Sequence, residues 1–227
     1  MIITRTPFRI SFVGGGSDLP VFFKEYGGAV ISSTIDKYMY ISSHDFFEKE
    51  KIRTKYSATE TVNSVDDIKH PILRIIMKKL NVNRGLEISS IADVPAGTGM
   101  GSSSSFTVGT LHNMMAREGK IDQVNKAWLG EKACEVEIND LNEPIGKQDQ
   151  YAAAFGGLNI FRFNQDNTVD VEPIHLDKDA LIQFSKHMRL YYIGNQRSAS
   201  NILSKQSKES LKIDKIKSLK TMVSFVD

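Results

Sequence analysis

Apolar and polar residues alternate along Ile2–Val13, where Ile, Thr, Phe and Val dominate, and the pattern predicts a strand running into Gly14, Gly15 and Gly16. A second strand is expected over Val30–Ile41, entered through Gly27 and Gly28, and a third over Ile52–Tyr56. Ile72, Ile75, Ile76 and Leu80 recur at helical spacing, so Pro71–Leu80 reads as a helix with proline in its first turn. Gly85–Ser90 returns as a short strand, broken by Asp93, Val94, Pro95, Ala96 and Gly97.

Val108, Leu111 and Met115 form the apolar stripe of a helix over Ser103–Glu118, closed by Gly119. A second long helix is expected over Val124–Leu141, with Val124, Ala127, Cys134, Ile138 and Leu141 on one side. Gly156 and Gly157 lead into a strand over Leu158–Phe163 and a turn over Asn164–Asn167. Met188–Gly194 reads as a further strand, and from Ser198 onward the pattern is helical and charged. Strands and helices mix without the regular alternation of a doubly wound sheet, which favours an α+β fold. A domain boundary is expected near Ala180–Arg189, dividing the chain into 1–184 and 185–227.

Composition narrows the function classes. The 227 residues are 41% hydrophobic and 25% charged, ordinary values for a globular chain. A net charge of +2, from 29 Lys+Arg against 27 Asp+Glu, lacks the basic footprint of a nucleic-acid binder. The single cysteine, Cys134, excludes an internal disulfide framework and a Cys-based zinc site. No apolar run reaches the ~20 residues of a membrane span, and no signal-peptide core follows the N-terminus, so a cytoplasmic location is expected.

The segment Pro95, Ala96, Gly97, Thr98, Gly99, Met100, Gly101, Ser102, Ser103, Ser104 and Ser105 carries the chemistry. Three alternate glycines let a backbone turn tightly and aim its N–H groups at one point. The helix that begins among the serines adds unpaired N–H groups and the positive end of its dipole. Together these suit a nucleotide triphosphate, and serine hydroxyls suit phosphate or magnesium. The spacing is neither that of a Walker A loop nor that of a Rossmann loop. Against this stands a plainer reading, a flexible turn capped by serine.

With Pro95–Ser105, two further segments resemble the galactokinase, homoserine kinase, mevalonate kinase and phosphomevalonate kinase (GHMP) superfamily. Pro7–Pro20 resembles its N-terminal substrate motif, and Pro144–Gly157 the segment of its catalytic aspartate. Gly14–Pro20, Gly146–Tyr151 and Arg197–Ser200 are similar to the branch acting on D-glycero-D-manno-heptose 7-phosphate. The resemblance implies an N-terminal domain like ribosomal protein S5 domain 2 and the start of a ferredoxin-like C-terminal domain. A third, glycine-rich motif is missing before Asp227, so a truncated chain is expected. The implied activity is ATP-dependent phosphorylation of the anomeric hydroxyl of a small-molecule sugar phosphate. No nucleic acid or membrane partner is implied, and a homodimer stays open.

The resemblance makes Asp149 the catalytic carboxylate and Arg9 the cation that steadies the transferring group; alone, each reads as a turn or surface residue. Pro95, Gly97–Ser104 would hold ATP. Gly15, Gly16, Ser17, Asp18, Lys147, Gln148 and Arg197 would meet the substrate. Asp18 also reads as an N-cap for a helix over Val21–Tyr26, and Lys147 and Arg197 also read as surface charges. Magnesium would be held by Ser103 and an upstream glutamate, here Glu137; Glu135 is the rival, Glu131 intrudes on its helix's apolar stripe, and all three also read as solvated charges. A fucokinase-like or other GHMP sugar kinase, and a nucleotide-binding protein without transfer, are the alternatives. Cys134, Met114 and Met115 read as core, His112 as packed or exposed, and Lys205–Lys220 as a solvated helix face.

Overall fold

Residues 1–82, 85–191 and 213–226 are described by the computed structural model of the chain. Strand β1 covers Ile2–Val13, and a short helix α1, Pro20–Tyr26, follows the glycine turn. Strand β2 runs over Gly28–Asp45, longer at both ends than the apolar pattern suggests. Next come β3 (Ile52–Lys55), β4 (Thr59–Val62), helix α2 (Pro71–Lys79) and β5 (Leu86–Ala92). Helix α3 spans Ser102–Arg117, and helix α4, Lys126–Cys134, continues as a π-helical stretch over Glu135–Asp140. Helix α5 (Gln148–Phe155), strands β6 (Leu158–Phe163) and β7 (Val169–Pro173), and helices α6 (Lys178–Lys186) and α7 (Ile213–Ser224) complete the described elements.

Among the described residues the seven strands make one mixed sheet in the order β4-β3-β5-β2-β6-β7, with β1 paired to β2. Only β3 and β5 run parallel. Strand β2 is its spine: residues 28–33 pair with β6 and 39–45 with β5, while β1 follows it from 31 to 43. The expected α+β class is the observed one.

The core lies between this sheet and the helices. Phe8, Ile41, Ile52, Ile76, Met77, Leu86 and Met114 are buried in its larger part. Phe23, Val30, Cys134, Phe161 and Phe163 form a smaller cluster beside it. Each such side chain contributes roughly 1.5–3 kcal/mol by leaving water. Helix α3 is fixed across β1 and β2 by polar contacts as well. Thr4 Oγ1 donates to the Gly109 carbonyl at 2.8 Å, and Asn113 Nδ2 to that of Ile41 at 3.0 Å. The Cys134, Met114 and Met115 side chains are core, as expected.

Several expectations are corrected. Residues 188–191 form no strand, and 192–194 lie outside the described residues. Phe184 of helix α6 packs edge-on against Phe12 with ring centroids 5.5 Å apart. The helix expected over Val124–Leu141 begins later, at Lys126, and divides into α4 and the π-helical stretch. No helix among the described residues is long and apolar enough to cross a membrane.

Candidate active site

Three segments meet at the N-terminus of α3. The first is β1, whose register against β2 slips between Pro7, opposite Tyr38, and Arg9, opposite Thr34. A break in a ladder re-aims the side chain beside it, and the one re-aimed here is Arg9. Its backbone N–H leaves the ladder for the Met100 carbonyl at 3.3 Å. Its guanidinium donates through Nη1 to the Gly99 carbonyl at 2.7 Å. The side chain is only 11% exposed, so it is no surface arginine.

The second segment is the glycine loop. Gly97, Gly99 and Gly101 have φ of 79°, 74° and 74°, a region that residues with a Cβ avoid. Thr98 Oγ1 ties the loop to the Pro95 carbonyl at 3.1 Å. Gly101 is the N-cap of α3 and no side chain caps the helix, so the orphan N–H groups of Ser102, Ser103 and Ser104 open beside the loop. A 16-residue helix behind them adds the positive end of its dipole.

The third is α5, which begins at Gln148 and carries Asp149 in its first turn. Asp149 Oδ1 accepts from Arg9 Nε at 2.8 Å and Nη2 at 2.6 Å. Asp149 Oδ2 faces Gly101, where a Cβ would lie 3.4 Å from it. The structure therefore brings Arg9, Asp149 and the glycine loop to one point.

Below that point Glu137 is buried, at 1% exposure. Its Oε1 accepts from Ser103 Oγ, and its Oε2 from Ser104 Oγ at 2.8 Å and Gln150 Nε2 at 2.7 Å. All three donors are neutral. Burial pushes the Glu137 carboxyl above its usual range, the hydrogen bonds offset part of that, and the Asp149 charge adds to it. Glu137 sits in the π-helical stretch, a conformation found mostly as single turns at functional sites. Its rivals are placed elsewhere: Glu135 pairs with Lys79 and with Lys132 at 2.6 Å, and Glu131 is exposed. So Glu137 is not a solvated charge, whereas Glu131 is. Among the described residues no group of three or more His, Cys, Asp or Glu could hold a metal alone.

The first glycine turn is placed differently from the expectation. Ser17 is fully buried, and its hydroxyl both donates to the Ala29 carbonyl at 3.0 Å and accepts from the Ala29 N–H at 3.1 Å. It clips the turn to β2 and has no face left for a substrate. The N-cap expected of Asp18 is not made, because Leu19 takes that position without a side-chain bond. Asp18 instead caps α5 from a distance. Its Oδ2 accepts the Gln148 N–H at 3.2 Å and its Oδ1 the Gly16 N–H at 3.1 Å. Burial raises the Asp18 carboxyl, and the neighbouring Asp149 charge adds to that. Gly15 is open, with nothing within 4 Å of where a Cβ would lie, and Gly16 adjoins it in the same turn.

Gln148 Oε1 accepts from Ser11 Oγ at 3.0 Å on the outer side of the turn. Lys147 is neither a surface charge nor turned to the Arg9–Asp149 pair. It is 8% exposed, its ammonium donates to the Asn167 carbonyl at 2.6 Å, and it lies 5.3 Å from the centre of the Phe23 ring. Arg197 lies outside the described residues. Two contributors escaped the sequence reading, Gly146 and Gln150. A Cβ on Gly146 would fall 1.9 Å from Asp18 Oδ2, and Gln150, which looks solvated beside Asp149, is fully buried.

Residues 68–157 match the family model described as GHMP kinases N terminal domain. The chain is 28% identical over 212 residues to the D-glycero-alpha-D-manno-heptose 7-phosphate kinase of Campylobacter jejuni, covering 88% of this chain and 62% of that protein. It is 27% identical over 210 residues to the galactokinase of Pyrococcus furiosus, covering 88% and 55%. A crystal structure of a D-glycero-D-manno-heptose 1-phosphate kinase from Bacteriodes thetaiotaomicron has a TM-score of 0.72 at 27% identity, covering 78% of this chain and 61% of that one. The chain thus spans less than two thirds of the length of these relatives. With the sheet, the helices and the glycine loop all in place, residues 68–157 carry a GHMP kinases N terminal domain, and the fold is similar to that of a heptose phosphate kinase.

Proposed function

We propose that this chain is the nucleotide-holding part of an ATP-dependent sugar kinase, with the anomeric hydroxyl of D-glycero-D-manno-heptose 7-phosphate as acceptor and the 1,7-bisphosphate as product. The observation that carries the reading is the Arg9–Asp149 pair set against Gly101 at the mouth of α3. A triphosphate held by the amides of Gly97–Ser104 would end beside a carboxylate already gripped by a guanidinium.

Phosphoryl transfer asks mainly for alignment and charge stabilisation. Asp149 Oδ2, the oxygen that Arg9 leaves to the loop side, is the proton acceptor for the sugar hydroxyl. As that proton leaves, the sugar oxygen forms its bond to the γ-phosphorus, the bond to the β-phosphate oxygen breaks, and ADP departs. Arg9 steadies the charge that builds on the transferring group. Gly15, Gly16 and Gln148 border the acceptor side. The heptose assignment rests on the two heptose phosphate kinases among the relatives.

Ser103 and Glu137 would hold magnesium, which neutralises phosphate charge when bound. The donor set fits. Magnesium keeps several waters and asks a protein for one or two oxygens, and Glu137 is a buried carboxylate with only neutral partners. Beside it Gln150 Oε1 is buried and has no hydrogen-bond partner among the described residues.

A coupled ADP-release assay over a panel of sugars and sugar phosphates tests the reading. Turnover with the heptose 7-phosphate is expected, together with its loss in Asp149→Asn while nucleotide affinity stays. Turnover with free fucose or galactose alone would replace the acceptor, and near-normal turnover in Asp149→Asn would remove the assignment of that residue.

A further inference from the structure

We propose that Gln150 is a positioning residue that fixes which oxygen of Glu137 is turned to the phosphate loop. The inference rests on the reading of Glu137 as a magnesium ligand.

Successive helical residues point ~100° apart, so α5 presents Asp149 to Arg9 and sends the next side chain inward. Gln150 is fully buried. The two oxygens of Glu137 are treated unequally. Oε2 takes two donors, Ser104 Oγ from α3 and Gln150 Nε2 from α5, at 2.8 Å and 2.7 Å. Among the described residues Oε1 has only the hydroxyl of Ser103, an exposed residue.

Donors from two helices converging on one oxygen stop the carboxylate from swivelling. They do not contribute equally to that restraint. A serine hydroxyl rotates about its C–O bond and follows a moving acceptor. An amide enclosed on all sides has no such freedom, so the orientation of Glu137 depends chiefly on Gln150. The oxygen it leaves less engaged, Oε1, is the one beside Ser103 at the loop. A ligand-orienting partner of this kind typically changes metal affinity by about 10–100-fold when removed.

Calorimetric titration of the full chain with a non-hydrolysable ATP analogue, once with magnesium and once with EDTA, reads the effect without turnover. The quantity that decides is the ratio of the two affinities. In Gln150→Leu the ratio should fall about tenfold, and in Gln150→Asn, whose amide is withdrawn by one methylene, it should fall as well. In Glu137→Ala it should drop toward one. An unchanged ratio in both Gln150 variants overturns the inference, whatever happens to their stability. If Glu137→Ala keeps the full ratio, the reading of Glu137 fails and the inference with it; a ratio lost in Glu137→Ala alone leaves that reading intact and removes only the role of Gln150.

Discussion

Arg9 holds Asp149 and Gly99 through separate nitrogens of one guanidinium: Nε and Nη2 reach the carboxylate, and Nη1 reaches the loop carbonyl. The glycine loop and α5 are therefore coupled through a single planar group. A lysine carries one ammonium on a flexible stem and cannot reproduce such a fork. Arg9→Lys is expected to lower kcat by about 10²–10³-fold with a smaller change in melting temperature than in rate. Steady-state kinetics beside a thermal melt checks this, and a kcat within a few-fold of the parent would show that the fork is dispensable.

Gly146 and Asp18 are packed too closely for any other residue. An added methyl would overlap Asp18 Oδ2 at 1.9 Å and Cγ at 2.3 Å, and Asp18 caps α5 through the Gln148 N–H. Gly146→Ala should cost about 1–3 kcal/mol or more and should also reduce turnover, because the helix start that it displaces carries Asp149. Urea denaturation supplies the first number. A variant as stable as the parent would mean that the turn opens without penalty.

The Glu60 carboxyl offers a pH test away from the site. Burial would push it up, but the Tyr56 hydroxyl at 2.6 Å and the N–H groups of Lys69 and His70 outweigh burial and hold it below its usual value. A carboxyl lowered by folding stabilises the fold above its unfolded pKa, and that stabilisation is lost as pH falls through the folded value. Tyr56→Phe should therefore be less stable than the parent at neutral pH, and the gap should close on acidification below about pH 4.5. Denaturation midpoints from pH 7 down to 3 decide it; a gap that stays constant would assign the loss to packing instead.

Lys147 supplies a prediction against its expected role. Its ammonium is committed to the Asn167 carbonyl and the Phe23 ring, and burial lowers its pKa. Methionine has a similar length and no charge to desolvate. Lys147→Met should leave the KM for a phosphorylated sugar within about twofold and should not lower stability by more than ~1 kcal/mol. A rise in KM confined to phosphorylated sugars would show the ammonium reaching the substrate.

Sequence patterns reveal elements when packing repeats their period. Strand β1, helix α2 and strand β6 were legible because Phe8, Ile76 and Phe161 fall on faces that are buried. The apolar pattern of β2 stops at Ile41 because Ser42, Ser43 and His44 are polar, yet Ser43 is buried against Asn113 of α3. Edge strand β4 has a single apolar residue, Val62, so no apolar alternation marks it, and β7 alternates Val169, Asp170, Val171 and Glu172 over too few residues to stand out. At the site, glycine spacing exposed the loop, but neither the burial of Ser17 nor the depth of Gln150 leaves a trace in one chain. Both are polar residues whose partners, Ala29 and Glu137, lie twelve or more positions away. The separation of Glu137 from Glu135 was likewise hidden, since the two alternate on one stretch and only the hydrogen-bond pattern distinguishes their faces.

The π-helical stretch at Glu135–Asp140 makes this part of the chain unusually sensitive to its own length. A wide turn accommodates one residue more than an ordinary helix, so removing one would let the backbone relax into a regular α-helix. The fold would tolerate that shortening, and hydrophobic contacts could largely re-form. The residues beyond the deletion would keep their phase, because the wide turn is what absorbs the extra residue, but the stretch itself would lose the opening that lets Glu137 lie beneath the two serines. Deletion of one residue here would therefore be gentle to folding while it withdraws the Glu137 carboxylate from Ser103 and Ser104.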